Sequence, residues 1–243
     1  MRILFACDLD NTLIHSYKNR RAGDICVEHY DGHEQSFISP VALDLLKEIA
    51  ARIIFIPITT RSIEQYRRIF WREDFRPTSA IVANGAYLLN GDTKENFMTD
   101  IIAPHATELS AQCEKFSADD NFNICRIVDE SFLFLRARDD INVEEISADL
   151  QTQTKLTVRH TGRKIYLFPP KLTKGAALNR LTEKFSPDKV IAAGDSDIDL
   201  PMLKIADVAF APKNLSAPNV IKCSPTPDFA EEFLSKIIRL LED

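Results

Sequence analysis

Asp8 and Asp10 stand two residues apart where the apolar run Ile3 to Cys7 breaks into Asp8-Leu9-Asp10-Asn11-Thr12. A short apolar run of this kind reads as a buried strand of a parallel sheet. Residues i and i+2 of an extended chain project to the same side, so both carboxylates leave the strand end together. Two such charges repel unless a cation or a shared proton compensates them. Open parallel sheets bind ligands at the carboxyl ends of their strands, which is where this pair falls. The plainer alternative is a solvated turn, since Asp and Asn also end strands.

Three further segments supply matching chemistry. The run Ile53 to Ile58 reads as a second buried strand and stops at Thr59-Thr60-Arg61. Thr59 offers a hydroxyl at a strand end, or serves only as a helix cap. Lys174 opens the helix expected over residues 174–185, where an ammonium opposes the helix dipole and therefore suggests a role beyond structure. Gly194-Asp195-Ser196-Asp197-Ile198-Asp199 follows the strand expected over residues 189–193. Asp197 fits a cap for the helix expected over 197–205, which leaves Asp195 and Asp199 for a cation. Carboxylates, a hydroxyl, an ammonium and backbone N–H groups along one sheet edge are the parts that phosphoryl transfer needs.

The elements that must position these groups alternate between strand and helix at both ends of the chain. Asp31-Gly32 marks a hairpin within residues 24–38, and Ser39-Pro40 starts a helix that runs to about residue 50. A helix follows Ser62 to about Trp71, and residues 79–83 form a third short strand ending at Asn84-Gly85. The middle then reads twice as helix, strand, strand, over residues 105–137 and 143–168. The terminal helix spans about 228–241. These patterns predict an α/β fold: a Rossmann-like, doubly wound parallel-sheet core (1–84 and 169–243) with an inserted α+β module of two helix-strand-strand repeats (85–168).

The chain has 243 residues, 45% of them hydrophobic and 27% charged, which is ordinary for a soluble globular protein. Its net charge of −6 argues against nucleic acid as a partner. Five cysteines without a Cys-x-x-Cys pair point to reduced thiols and a cytoplasmic setting. No apolar stretch has the length of a membrane span, and the first residues lack the shape of a signal peptide. The oligomeric state is not encoded in any of these features.

Taken in order, Asp8-Leu9-Asp10-Asn11-Thr12-Leu13, Ile58-Thr59-Thr60-Arg61, Thr173-Lys174-Gly175 and Gly194 through Asp199 resemble the four motifs of the haloacid dehalogenase superfamily. The late insertion, entered at Asn84-Gly85-Ala86, is similar to the type-II cap subgroup that holds the Cof-like and sucrose-phosphatase-like enzymes. The resemblance implies a Mg²⁺-dependent phosphatase acting on a small phosphorylated metabolite, a sugar phosphate or sugar-acid phosphate, through an aspartyl-phosphate intermediate. It implies Asp8 as nucleophile, Asp10 as general acid and base, Thr59 as a hydrogen-bond donor to the phosphoryl group and Lys174 as its counter-charge. Mg²⁺ is expected on Asp8, the carbonyl of Asp10, Asp195 and Asp199. Thr60, Arg61, Asn84 and Asn214 are expected to contact substrate. The cations Arg126, Arg136, Arg138, Arg159, His160, Arg163 and Lys164 are candidates for the leaving-group side, and the 24–38 hairpin is expected to reach over the site. The chain departs from the family pattern at Thr60, where Gly is common, and at Ile198, where Asn is. A phosphomannomutase-like phosphomutase and a non-catalytic sugar-phosphate-binding protein are the alternative functions.

Overall fold

The computed structural model describes residues 1–73 and 75–242. β1 (Ile3–Cys7) is buried along its whole length, as the central strand of a parallel sheet must be. β2 (His15–Ser16), β3 (Ile25–Tyr30) and β4 (His33–Ile38) form a small sheet in the order β2-β4-β3. Its hairpin turns at Asp31 and Gly32, whose φ angles of 51° and 74° are the pair that a type I′ turn requires. α1 (Pro40–Arg52) begins where the Ser39 hydroxyl accepts from the Ala42 N–H, and it buries Ala42, Leu43, Leu46 and Ile49. β5 (Ile54–Pro57) returns beside β1.

α2 (Ile63–Arg67) is capped reciprocally by Ser62 and Gln65 but stops well before Trp71, where the sequence pattern predicts its end. The apolar residues beyond it are used otherwise. Ile69 and Trp71 are buried, and the Phe70 N–H donates to the Val27 carbonyl at 2.7 Å. β6 (Ser79–Val82), β7 (Tyr87–Asn90) and β8 (Thr93–Asn96) form an antiparallel meander. It adjoins β5 through a parallel bridge between Ile58 and Ile81. β7 and β8 are absent from the sequence-based expectation. β8 is exposed at every position, so no apolar alternation announces it.

After α3 (Thr99–Ile102) come α4 (Ala106–Ser117), β9 (Phe122–Val128), β10 (Phe132–Ala137), α5 (Val143–Gln153), β11 (Thr157–Thr161) and β12 (Lys164–Phe168). These are the two expected helix-strand-strand repeats, and their strands form an antiparallel sheet ordered β11-β12-β10-β9. One face buries Leu133, Leu135, Ile165 and Leu167 against Leu109 and Phe116 of α4 and Val143 and Leu150 of α5. The other face sends Val128, Phe132, Tyr166 and Phe168 into the main core.

α6 (Lys174–Phe185), β13 (Lys189–Ala193), α7 (Leu200–Leu203), β14 (Val208–Pro212), β15 (Ile221–Cys223) and α8 (Phe229–Glu242) complete the fold. The main sheet runs β15-β14-β13-β1-β5 with every pair parallel, the α/β core that the alternation predicts. α8 lays Phe233 against Phe5 and Phe210, with ring centroids 6.1 Å apart in both pairs. α7 is shorter than the helix expected over 197–205, because residues 194–199 form a turn folded around the Asp199 carboxylate. β15, three residues long, carries too little pattern to be read.

Gly175 fixes the approach of α6 to α7. A Cβ there would lie 2.5 Å from the carbonyl oxygen of Pro201. Gly175→Ala is therefore expected to destabilise the fold by about 1–3 kcal/mol, the usual cost of overpacking, as a lower urea midpoint. An unchanged midpoint would show that this contact can slacken freely.

Candidate functional site

The site grows from the carboxyl end of β1. The Asp8 N–H donates to the Ala193 carbonyl at 3.0 Å, so β1 and β13 stay paired up to the first carboxylate. The chain then curls back, with the N–H groups of Thr12, Leu13 and Ile14 all donating to the Leu9 carbonyl. This turn sets the Thr12 hydroxyl 3.3 Å from both Asp8 Oδ2 and Asp195 Oδ1.

A second turn follows β13. A Cβ at Gly194 would lie 2.4 Å from the Asp199 Cβ, so glycine is what lets Asp199 fold back over the loop. Asp199 Oδ2 accepts from the N–H groups of Asp195 and Ser196 at 3.1 and 3.0 Å and from the Ser196 hydroxyl at 2.9 Å. Its Oδ1 accepts from Lys174 Nζ at 2.5 Å. Lys174 heads α6, whose start is capped by the Thr173 hydroxyl accepting from Ala176 N–H. The same ammonium donates to Asp8 Oδ1 at 2.5 Å and is almost wholly buried. Oxygens of Asp8, Asp195 and Asp199 lie within 4.8 Å of one another.

The charges in this cluster do not balance. Burial alone would lower the Lys174 pKa, but Asp199 and Asp8 outweigh it and hold the ammonium charged. Burial pushes Asp195 up to about 9, with Asp8 and Asp199 adding to the rise. Burial also raises Asp8, to about 7, against the pull of Lys174 and with the push of Asp199 and Asp10. One ammonium thus serves three carboxylates, and the donor set of carboxylate, carbonyl and hydroxyl oxygens suits a hard divalent cation.

Asp10 belongs to a second network. Arg61 grips it with two parallel hydrogen bonds, Nε to Oδ2 and Nη2 to Oδ1, each 2.8 Å. Arg61 Nη1 donates to Glu28 Oε2 at 2.8 Å, and Ser36 and Arg68 also bond to Glu28. Burial works against ionisation of Asp10, but Arg61 outweighs it and lowers the pKa to about 2. Because the Asp10 side chain keeps 43% of its surface open, the guanidinium is the stronger influence. The 24–38 hairpin therefore reaches the site through Glu28 and Ser36, behind Arg61.

The other candidates are placed as follows. Thr59 is fully buried, and its hydroxyl accepts from the Arg61 N–H at 3.1 Å. Thr60 lies within reach of the Tyr166 hydroxyl from β12. Asn84, at φ 57°, donates to the Leu172 carbonyl at 3.0 Å and leaves its buried Oδ1 without a partner among the described residues. Asn214 is exposed in the turn after β14, and its side chain makes no hydrogen bond among the described residues. Asp197 gives only its backbone carbonyl, to Leu200. Sequence reasoning passed over Thr12, which stands in plain view four residues after Asp8. It also missed Glu28, where two irregularities of register in β3 scramble the alternation that would have marked it as inward-facing.

A family model of haloacid dehalogenase-like hydrolases matches residues 104–224. No curated protein sequence matches the chain. Among solved structures, the sucrose-phosphatase of Synechocystis sp., determined with sucrose and phosphate, aligns with a TM-score of 0.69 at 16% identity, covering 98% of each chain. The C-terminal domain of the C. albicans trehalose-6-phosphate phosphatase aligns at 0.68 with 14% identity, over 98% of this chain and 93% of that one. A trehalose-6-phosphate phosphatase related protein aligns at 0.63 with 16% identity, over 99% of this chain and all of that one. At such identities the likeness is one of fold. The family model ties residues 104–224 to the haloacid dehalogenase-like hydrolases, and the solved structures share the fold of nearly the whole chain.

Proposed function

We propose that the protein is a Mg²⁺-dependent phosphatase that hydrolyses a small phosphorylated metabolite, a sugar phosphate or sugar-acid phosphate. The observation that carries this reading is the buried Lys174 ammonium, shared at 2.5 Å between Asp8 and Asp199 beside Asp195. The solved neighbours that act on sucrose and trehalose phosphates support the substrate class. Residues 85–168 serve as a cap, and the free cysteines suit a reducing cytoplasm.

In this reading an Asp8 oxygen attacks phosphorus, and the bond to the leaving oxygen breaks with its electron pair going to that oxygen. Asp10 gives the leaving oxygen a proton. Water then attacks the phosphorus of the aspartyl phosphate, Asp10 takes the proton of that water, and Asp8 is released as carboxylate. Lys174 orients Asp8 and meets the charge of the transferring group. Thr59 donates its hydroxyl hydrogen to a phosphoryl oxygen while accepting from Arg61 N–H. Asp8, Asp195 and the carbonyl of Asp10 would hold Mg²⁺, which supplies charge compensation for the phosphoryl oxygens. Asp199, whose oxygens already serve Lys174 and the 195–196 loop, positions those groups. Because Arg61 holds Asp10 ionised in this arrangement, Asp10 must leave Arg61 and take a proton from water before it can protonate the leaving oxygen.

Two measurements check this reading. Asp8→Asn is expected to lower p-nitrophenyl phosphate hydrolysis roughly a thousandfold or more while the circular dichroism spectrum stays native. Removal of divalent cations with EDTA should have a comparable effect that added Mg²⁺ reverses, and near-normal turnover in either case contradicts the assignment. The second concerns pH. Asp8 and Asp195 titrate at about 7 and about 9 in the folded state, above the usual 3.8. The cation-free fold therefore binds protons more tightly than the unfolded chain, and its stability falls as pH rises from about 4 towards about 9. Mg²⁺ should then raise Tm more at about pH 8 than at about pH 5, where it must displace protons. An equal or larger rise at the lower pH would show that these carboxylates do not hold the ion.

A further inference from the structure

The antiparallel pairing of β9 to β12 sorts seven of the basic residues within 126–164. Across the sheet, Arg159, Tyr166, Phe134 and Arg126 stand opposite one another as one row. The preceding row on the same face, with Phe168, Phe132 and Val128, is buried in the main core. The following row pairs Lys164 directly with Arg136. His160 pairs with Ile165 on the helix-covered face instead. Arg138 and Arg163 pair with Asp140 and Asp139.

The middle row lies at the active site. Tyr166 reaches Thr60, and Lys164 is close enough to Asp10 for its charge to favour the carboxylate. Phe134 packs against Tyr166 with centroids 5.6 Å apart, and the Arg126 guanidinium sits 5.6 Å from the Phe134 ring centre. None of Arg126, Arg136, Arg159 and Lys164 has a carboxylate partner among the described residues. All four are exposed. Like charges directly opposite on a sheet destabilise it, and no ion pair offsets the Arg136–Lys164 pairing among the described residues.

We propose that the leaving group of the substrate carries a second anion, a carboxylate or a phosphate, that Arg136 and Lys164 bind with Arg126 and Arg159 flanking it. This rests on the phosphatase reading above and narrows its substrate class. A guanidinium grips either anion through two parallel N–H donors, and Lys164 adds a compact charge. Phe134 gives the organic part between the two anions an apolar surface. A substrate with an uncharged leaving group would leave four unpaired cations above it.

The test uses three substrates with purified wild-type protein and Mg²⁺. Glucose 6-phosphate has an uncharged leaving group, 6-phosphogluconate adds a carboxylate and fructose 1,6-bisphosphate adds a phosphate. At least one of the two anionic substrates should exceed glucose 6-phosphate about tenfold or more in kcat/KM, and the better one identifies the anion. Arg136→Gln with Lys164→Gln should erase most of that preference through KM, and added KCl should narrow it. Equal turnover, a preference for glucose 6-phosphate, or a loss in the double variant that is alike for all three overturns the proposal. Calorimetric titration of Asp8→Asn protein with the same compounds reads the preference without turnover. Tighter binding of an anionic compound with no hydrolysis of any phosphoester would overturn the phosphatase reading alone. Equal binding of all three, or none, would overturn this one.

Discussion

Everything at the carboxyl edge of the main sheet is arranged around one buried ammonium. Moving an ammonium out of water costs several kcal/mol, and an excellent set of partners must offset it. Lys174 has two carboxylates at 2.5 Å, one from the end of β1 and one from the loop after β13. The supporting features are small but specific. Thr173 caps α6, Gly175 lets it approach Pro201, and Gly194 leaves room for Asp199 to fold back. If any of these contacts moves, the charge loses a partner while remaining buried. The same arrangement leaves the cluster short of positive charge, because Asp195 stands beside the pair without a cation of its own.

The two networks divide the chemistry by electrostatics. Asp8 lies in the crowded, dry cluster, where its acidity is weakened. Asp10, two residues later, leans on Arg61 and is a strong acid. Their different partners separate their behaviour more than their own positions do. The hairpin takes part through Glu28, a carboxylate that two arginines and a serine hold in the interior.

Much of this was legible in the sequence, for reasons that differ from one residue to the next. Asp8, Asp195 and Lys174 were readable because strand ends and a helix start fix where their side chains begin. The repeats of the second sheet were readable because a buried face leaves an apolar alternation. β8 and β15 were not, being too exposed or too short to leave one. The early end of α2 and the short α7 were hidden because tertiary contacts overrode good local helix signals. The Arg61 grip on Asp10 joins residues 51 positions apart, and no local pattern encodes such a pairing. The sorting of the basic residues lay one step beyond the sequence, since alternation divides each strand but only the register shows which residues share a row.

The packing of Val128, Phe132, Tyr166 and Phe168 into the main core bears on how a ligand gains entry. A lid that hinged away as a rigid body would return these side chains to water. That would cost about 1.5–3 kcal/mol for each large apolar group exposed. Phe132 and Phe168 pack with ring centroids 4.9 Å apart and planes tilted by 56°. The cheaper route leaves that seam shut and uses the opposite margin of the sheet, where Lys164 and Arg136 already face solvent. Charge at that margin would steer an anionic ligand towards the site, an attraction that salt screens.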